Sequence, residues 1–280
     1  GEYAVAIRRY DARKNVIFTA NLGVEGEPLL VKSGDTYYQY AVTYDSAKHK
    51  LEEHYYDGDG QPMNCKAGYA SVYRVYDANG KLSRIAYYGP DGEPIAIPDG
   101  YASAEYPERD EWGNAVEIRY YGVDGEPALY KGLYATLLRR YDASKRILWM
   151  AAYGVDGEPV PCEEGKPYHQ VEYEYGANDV KVLERYLDGE LQLTDAGNGY
   201  AMAVREQDEA GHVIRTDFYG PDGEHALHRL GFAAAEFEDY DEYGNATVSR
   251  YYGVDGEPAL YRGEYAVAIR RYDARKNVIF

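Results

Sequence analysis

Two carboxylates held at a fixed separation can hydrolyse a glycosidic bond. The chain offers such a pair six times as Asp-Gly-Glu, beginning at Asp91, Asp124, Asp156, Asp188, Asp222 and Asp255. A hydrolase needs one pair, whereas a tight hairpin turn asks for Asp-Gly wherever it occurs, so the repetition assigns these acids to turns. Asp57-Gly58-Asp59-Gly60 starts like a calcium loop, yet the third acidic ligand and the distal glutamate that complete one are missing. The histidines His49, His54, His169, His212, His225 and His228 are scattered, and only the last two are close in sequence. Three positions apart on a strand they face opposite sides, which is wrong for a shared metal. No phosphate-binding Gly-Lys-Ser/Thr loop and no Gly-x-Ser-x-Gly elbow occurs. No catalytic residue, metal or cofactor is expected, and the chain does not read as an enzyme.

Tyrosine is the remaining chemical resource, with 34 Tyr against 5 Phe. A flat ring can lie over a sugar face while its hydroxyl reaches water, and tandem copies multiply a weak contact. The motif Tyr-Tyr-Gly-x-Asp-Gly at positions 87–92, 120–125 and 251–256 names the candidate ligand-binding residues: Tyr87, Tyr88, Tyr120, Tyr121, Tyr251 and Tyr252. A carbohydrate-binding surface needs Tyr88, Tyr121 and Tyr252 solvent-facing and in line. A plain spacer buries them.

Composition limits the partners. A net charge of -18 repels phosphate backbones and anionic lipid heads, which leaves a glycan or a protein and excludes nucleic acid. No apolar run reaches membrane-spanning length, so membrane insertion is not expected. The first residues carry no export signal. Cys65 and Cys162 each stand five residues after a turn glycine, and no disulfide can be assumed between them.

These residues are positioned by a tandem array. Glycines open segments at 1–33, 34–67, 68–99, 100–131, 132–164, 165–198, 199–230 and 231–262, with a partial ninth at 263–280. Repeats of about 33 residues return in sequence after four units, a super-period of 131: the fourth and eighth match at 21 of 32 positions, and residues 263–280 are identical to 1–18. The chain therefore reads as one repeat array over 1–280, taken from a longer parent.

Each repeat alternates two turn signals with two strand-like runs. The first turn follows Tyr-Asp, as at Tyr76-Asp77, and three residues after the Asp stands a glycine such as Gly80, Gly113, Gly211 or Gly244, or a lysine at Lys14, Lys48, Lys145 and Lys276. Lysine disfavours the left-handed position that glycine suits, so those loops are expected to use another turn type. The second turn is Asp-Gly in seven of the eight complete repeats and Glu25-Gly26 in the first, and in six repeats a proline that must sit at an edge or exit, such as Pro94 or Pro127, follows it. The sixth repeat is degenerate, with Gly176 in place of the first-turn Asp and Leu191 in place of the proline. Between turns, residues 69–76 and 82–88 alternate faces. One such hairpin cannot bury enough to stand alone and must stack on its neighbours. The expected fold is all-β: an elongated tandem β-hairpin repeat array, a solenoid or superhelix.

In VYRVYDANGKLSRIAYYGPDG at 72–92 the Tyr-Asp and glycine spacing resembles the YD repeats of Rhs-type and teneurin-like shell proteins. More loosely, Tyr-Tyr-Gly-x-Asp-Gly is similar to the aromatic hairpins of choline-binding and clostridial toxin cell-wall-binding repeats, whose implied ligand platforms include tryptophans; this chain has Trp112 and Trp149. The resemblance implies a non-enzymatic structural or attachment module of an extracellular or cell-surface bacterial protein, acting as a spacer or protein-contact surface. Carbohydrate binding through the repeated tyrosines is the alternative.

Overall fold

A computed structural model describes residues 5–31 and 36–279; the repeat-opening Gly1 and Gly34 lie outside them. The chain forms two compact units. One ends at Leu138 and also holds Gly154–Gly157; the other comprises Arg139–Tyr153 and the residues from Glu158 on.

Both are nearly all β, as the alternating runs predict. The first contains β1 (Val5–Tyr10), β2 (Val16–Leu22), β3 (Gln39–Tyr44), β4 (Lys50–Tyr56), β5 (Ser71–Tyr76), β6 (Leu82–Tyr88), β7 (Ser103–Glu105), β8 (Glu117–Tyr121) and the start of β9 (Thr136–Tyr141). The second holds β10 (Ile147–Tyr153), β11 (Gln170–Tyr175), β12 (Lys181–Leu187), β13 (Met202–Gln207), β14 (Val213–Tyr219), β15 (Ala234–Tyr240), β16 (Ala246–Tyr252) and β17 (Val267–Ile269). Each repeat contributes an antiparallel hairpin. Within the third, β5 and β6 pair from Ser71↔Tyr88 to Tyr76↔Leu82. Between repeats the ladder is short: β4 meets β5 only over Glu52↔Tyr73, Glu53↔Val72 and His54↔Ser71, and β14 meets β15 over three pairs likewise. Backbone pairing alone joins neighbours weakly, so side chains must supply the rest.

Aromatic rings supply it. In the first unit they stand in file along one face, from Tyr55 through Tyr69, Tyr87, Tyr101 and Tyr120 to Tyr134, with centroids 5.8, 4.9, 5.9, 4.9 and 6.1 Å apart. The second unit repeats the file as Tyr168, Tyr186, Tyr200, Phe218, Phe232, Tyr251 and Tyr265, at 4.9, 6.1, 4.8, 5.7, 5.0 and 6.2 Å. Rings at strand ends alternate with rings from the segment entering the next hairpin, so every second contact crosses between repeats. Each tilted or edge contact adds about 0.5–1.5 kcal/mol beyond the area it buries. Beside the entering rings Ala70, Ala102, Ala135, Ala201 and Ala233 are at most 2% exposed, since a larger side chain there would push the strands apart.

Beneath the file lie two buried ion pairs one super-period apart. Arg74 Nη1 meets Glu53 Oε2 at 2.5 Å, and Arg205 Nη2 meets Glu184 Oε1 at 2.7 Å. Burial pushes the Glu53 carboxyl up, but Lys50, Tyr40 and Arg74 together hold it below its ordinary value.

The first turns correct the sequence reading. In the third repeat Asp77 N–H donates to Lys81 O, Gly80 N–H donates to Asp77 O, and Gly80 has φ +72°. Asp77 Oδ1 accepts the amides of Asn79 and Lys81 at 2.9 and 2.8 Å. The lysine loops adopt this same turn: Lys48 N–H donates to Asp45 O, Asp45 Oδ1 accepts from Ala47 and His49 at 2.8 and 2.9 Å, and Lys14, Lys48, Lys145 and Lys276 have φ from +62° to +70°. The aspartate's two amide bonds fix the geometry, so the lysine is carried into the left-handed region.

The sixth repeat is also re-registered. Gly176 leads into a short 3-10 turn at Ala177–Asp179. In its second turn Asp188 occupies the first corner, two residues earlier than the other Asp-Gly aspartates; Leu191, at φ +61°, holds the place of the turn glycine. Leu193, not Leu191, stands where proline does elsewhere, bridging Leu187 as Pro127 bridges Tyr121.

Two predictions follow from this packing. Phe218→Ala lowers unfolding stability by about 3–5 kcal/mol, as loss of a buried aromatic does, while Phe218→Tyr, the residue found at Tyr120 and Tyr251, leaves it nearly unchanged; urea denaturation followed by far-UV circular dichroism measures both. Lys145→Gly relieves the left-handed lysine and raises stability by about 1 kcal/mol, read as a higher denaturation midpoint with unchanged slope.

Candidate functional site

The twin tyrosines point to opposite faces because neighbouring residues on a strand do. Tyr120 and Tyr251 are 8% and 6% exposed and, with half-buried Tyr87, belong to the aromatic file. Tyr88, Tyr121 and Tyr252 lie half-buried on the other face. Tyr121 donates its hydroxyl to Glu105 Oε2 at 3.3 Å, and Tyr252 donates to Glu236 Oε2 at 2.6 Å. Tyr88 packs edge-on against Tyr73 at 5.1 Å. These are the last residues of β6, β8 and β16. The glycine turn after each brings the chain back, so Pro94, Pro127 and Pro258 bridge them from the strand's outer side, where no amide proton is needed.

That arrangement opens a small cleft beside the turn, found in both units at equivalent positions. The first, of about 250 Å³, is lined by Arg84, Tyr87, Tyr88, Pro94, Ser103 and the turn at 122–125. The second, of about 210 Å³, has Arg215, His225, Ala234, Glu236, Tyr252 and Gly253. Tyr87 and Tyr88 thus line the first cleft and Tyr252 the second.

The second cleft holds a polar network that the first lacks. Asp217, 7% exposed, receives Arg215 Nε and Nη2 at 2.7 and 2.8 Å and lies 3.1 Å from His225 Nε2. Arg215 Nη1 also donates to Glu236 Oε1 at 2.7 Å, and His225 stacks on Tyr219 at 4.9 Å. Ala86 and Pro94 stand where Asp217 and His225 do. His225 in the proline position was the legible signal of this cluster, which scanning for metal or triad spacing passes over. His228 is on the opposite side, stacked on Phe218 at 4.9 Å, and burial holds its imidazole below the ordinary value.

The cysteines form no disulfide and both are buried. Burial pushes the Cys162 thiol up to about 12, so it is unreactive as a nucleophile near neutrality. Among the described residues no group of three metal-ligating side chains converges.

A larger concavity lies in the first unit, at the seam between the tips of the third and fourth hairpins. Three other seams are closed by a stacked pair: His49 on Tyr76 at 4.6 Å, His212 on Tyr240 at 4.2 Å, and the Arg146 guanidinium 4.4 Å over Tyr175. Between the third and fourth repeats the two positions hold Lys81 and Arg109, which cannot stack as cation on ring. Arg109 instead donates to Gly113 O and Leu82 O and lies 3.7 Å from Asp77. Pro107 also interrupts the strand: β7 has 3 residues, against 7 in β15 one super-period on. The result is a groove of about 870 Å³, whose lining includes Lys81, Arg84, Glu105, Tyr106 and Trp112, with Trp112 41% exposed. Sequence reading missed it, although Pro107 within a strand pattern was the available sign.

The first-turn aspartates carry a pH signature. The Asn245 side-chain amide and backbone hold Asp241 below the ordinary carboxylate range, Asn277 does the same for Asp273, and the His212 backbone and side chain do so for Asp208. A carboxyl whose folded value is depressed contributes stability that is present above its unfolded value, about 3.9, and is lost as pH falls through the folded value. The array is therefore expected to lose stability below about pH 4, and Asp241→Asn to flatten that acid limb; urea midpoints measured from pH 7 down to pH 2.5 check this, and an unchanged limb in the variant would contradict it.

No family model matches the chain, and no curated protein does. Among solved structures it is similar to a chain of the Photorhabdus luminescens Tc holotoxin pore carrying a TccC3 mutation, at 12% identity and a TM-score of 0.35, over 88% of this chain and 13% of that one. It is also similar to a chain of the TcdB2-TccC3-TEV crystal structure, at 13% identity and a TM-score of 0.28, over 98% of this chain and 15% of that one. The chain spans less than a sixth of the length of either. Superpositions this loose transmit no role.

Proposed function

We propose that the chain is a non-enzymatic structural and attachment module of a larger bacterial surface protein, serving as a spacer or protein-contact surface. One observation carries this reading: the tyrosines of the ring files are buried in holding consecutive hairpins together rather than displayed. Tyr55, Tyr69, Tyr101, Tyr120, Tyr134, Tyr168, Tyr186, Tyr200 and Tyr251 are all at most 9% exposed. The aspartates that suggested paired-acid chemistry are likewise engaged in turns, with Asp91, Asp124, Asp222 and Asp255 each accepting the backbone amide two residues on. A net charge of -18 suits a chain that stays apart from phosphate and anionic lipid.

Carbohydrate binding through the repeated tyrosines is the second reading. It is favoured by the duplicated clefts, to which Tyr88 and Tyr252 contribute a ring each. Retention of the wild-type chain and of the Tyr88→Ala/Tyr252→Ala variant on bacterial cell-wall preparations and a glycan array separates the two. The structural reading expects no difference between them. Retention that disappears with the tyrosines overturns it in favour of the second.

A further inference from the structure

The groove between the third and fourth hairpin tips lies where two cationic side chains stand in positions that carry a stacked pair at three other seams. Its origin is local: Lys81 and Arg109 replace a stacking pair, and Pro107 cuts the strand short where the equivalent eighth repeat has Glu238 in a regular ladder. Departures of this kind, with no packing gain to offset them, mark functional positions. Its volume of about 870 Å³ falls in the range of small-ligand sites, roughly 300–1,000 Å³.

The groups that face it define what could enter. Asn79, Lys81 and Trp112 are exposed and engage Asp77 and Asp110 through backbone groups, their amides donating at 2.9, 2.8 and 3.1 Å, which leaves a side-chain amide, an ammonium and an indole N–H uncommitted. Arg84 Nε lies 3.8 Å from Glu105 Oε1, a separation that leaves both able to take further hydrogen bonds. Donors and acceptors of both signs thus surround an exposed indole face. A polyanion is repelled by the acidic chain. A peptide adding as a strand finds no open edge, because Ser83 O already accepts Tyr106 N–H at 2.9 Å and Leu82 O accepts Arg109. Hydroxyl groups donate and accept at once, and the C–H face of a pyranose matches an indole.

We propose that this groove is a binding site for a neutral oligosaccharide, with Trp112 as the stacking platform and Asn79, Lys81, Arg84 and Glu105 as its polar rim. The site shares Arg84 with the first tyrosine cleft but uses none of the aromatic rings that line the clefts.

The test uses emission of the full chain, made single-tryptophan by Trp149→Phe, titrated with cellohexaose, chitohexaose and mannohexaose. One of these hexasaccharides shifts or quenches Trp112 emission; followed by calorimetry, that binding weakens at least tenfold in Trp112→Ala and stays within a few-fold in Trp112→Phe. The double variant Lys81→His/Arg109→Tyr introduces the His-Tyr stack found at two other seams, so it abolishes binding while the denaturation midpoint holds or rises. The proposal is overturned if none of the three perturbs Trp112 up to about 10 mM, a ligand concentration beyond the millimolar affinities of the weakest specific sites. It is equally overturned if binding survives Trp112→Ala, including the case in which it falls instead with Tyr88→Ala/Tyr252→Ala, which would place the sugar in the clefts. Binding of a proline-rich peptide in preference to every hexasaccharide also overturns it.

Discussion

The structure depends on contact between aromatic rings of consecutive repeats. A hairpin of two short strands exposes both faces and cannot bury enough apolar area to persist alone. The backbone ladder between neighbours spans three residue pairs, which would leave adjacent hairpins free to splay. Rings spaced 4.8–6.2 Å apart close that gap within each unit, and the small alanines beside them let strands approach closely enough for the rings to meet. Stability is then shared among nearest neighbours, as in other repeat architectures.

Tyrosine, rather than phenylalanine, suits this position for a physical reason. A ring in a thin single sheet is covered on one side only, so a hydroxyl at its tip can meet water or a neighbour while the body is buried. Burial first, then the adjacent Tyr87, holds the Tyr101 phenol well above its ordinary value, which keeps the file uncharged. Where phenylalanine occurs, at Phe218 and Phe232, the ring spacing is the same.

The turns obey a second constraint, which explains why the array tolerates so much variation in them. An aspartate that accepts two backbone amides, as Asp45 and Asp77 do, fixes the loop irrespective of the residue in the left-handed position. Lysine can occupy that position at a cost of about 1 kcal/mol. The seams just inside these turns are where repeats differ most. Three of them carry a stacked pair, and the one between the third and fourth repeats is open.

Sequence alone determined the repeats, the all-β class, the hairpin turns and the assignment of the Asp-Gly acids to those turns, because each is a local rule: period-two alternation, Asp-Gly corners, proline at an edge. It also identified Tyr87 and Tyr88 and their counterparts as a pair of distinct positions, since adjacent strand residues face opposite ways. It could not say which of the two faces was covered. That depends on which side the segment entering the next hairpin folds over, as Tyr69, Tyr101 and Tyr134 do, and this is a contact between residues more than ten positions apart. The lysine turns were misjudged because intrinsic preference was weighed without the two amide bonds that override it. Pro107 and His225 were visible in the sequence as departures from the repeat, but the Trp112 groove and the reach of Arg215 to Glu236 were decided by tertiary structure: each sets side chains of neighbouring hairpins face to face, and spacing along one strand carries no information about what stands across the seam.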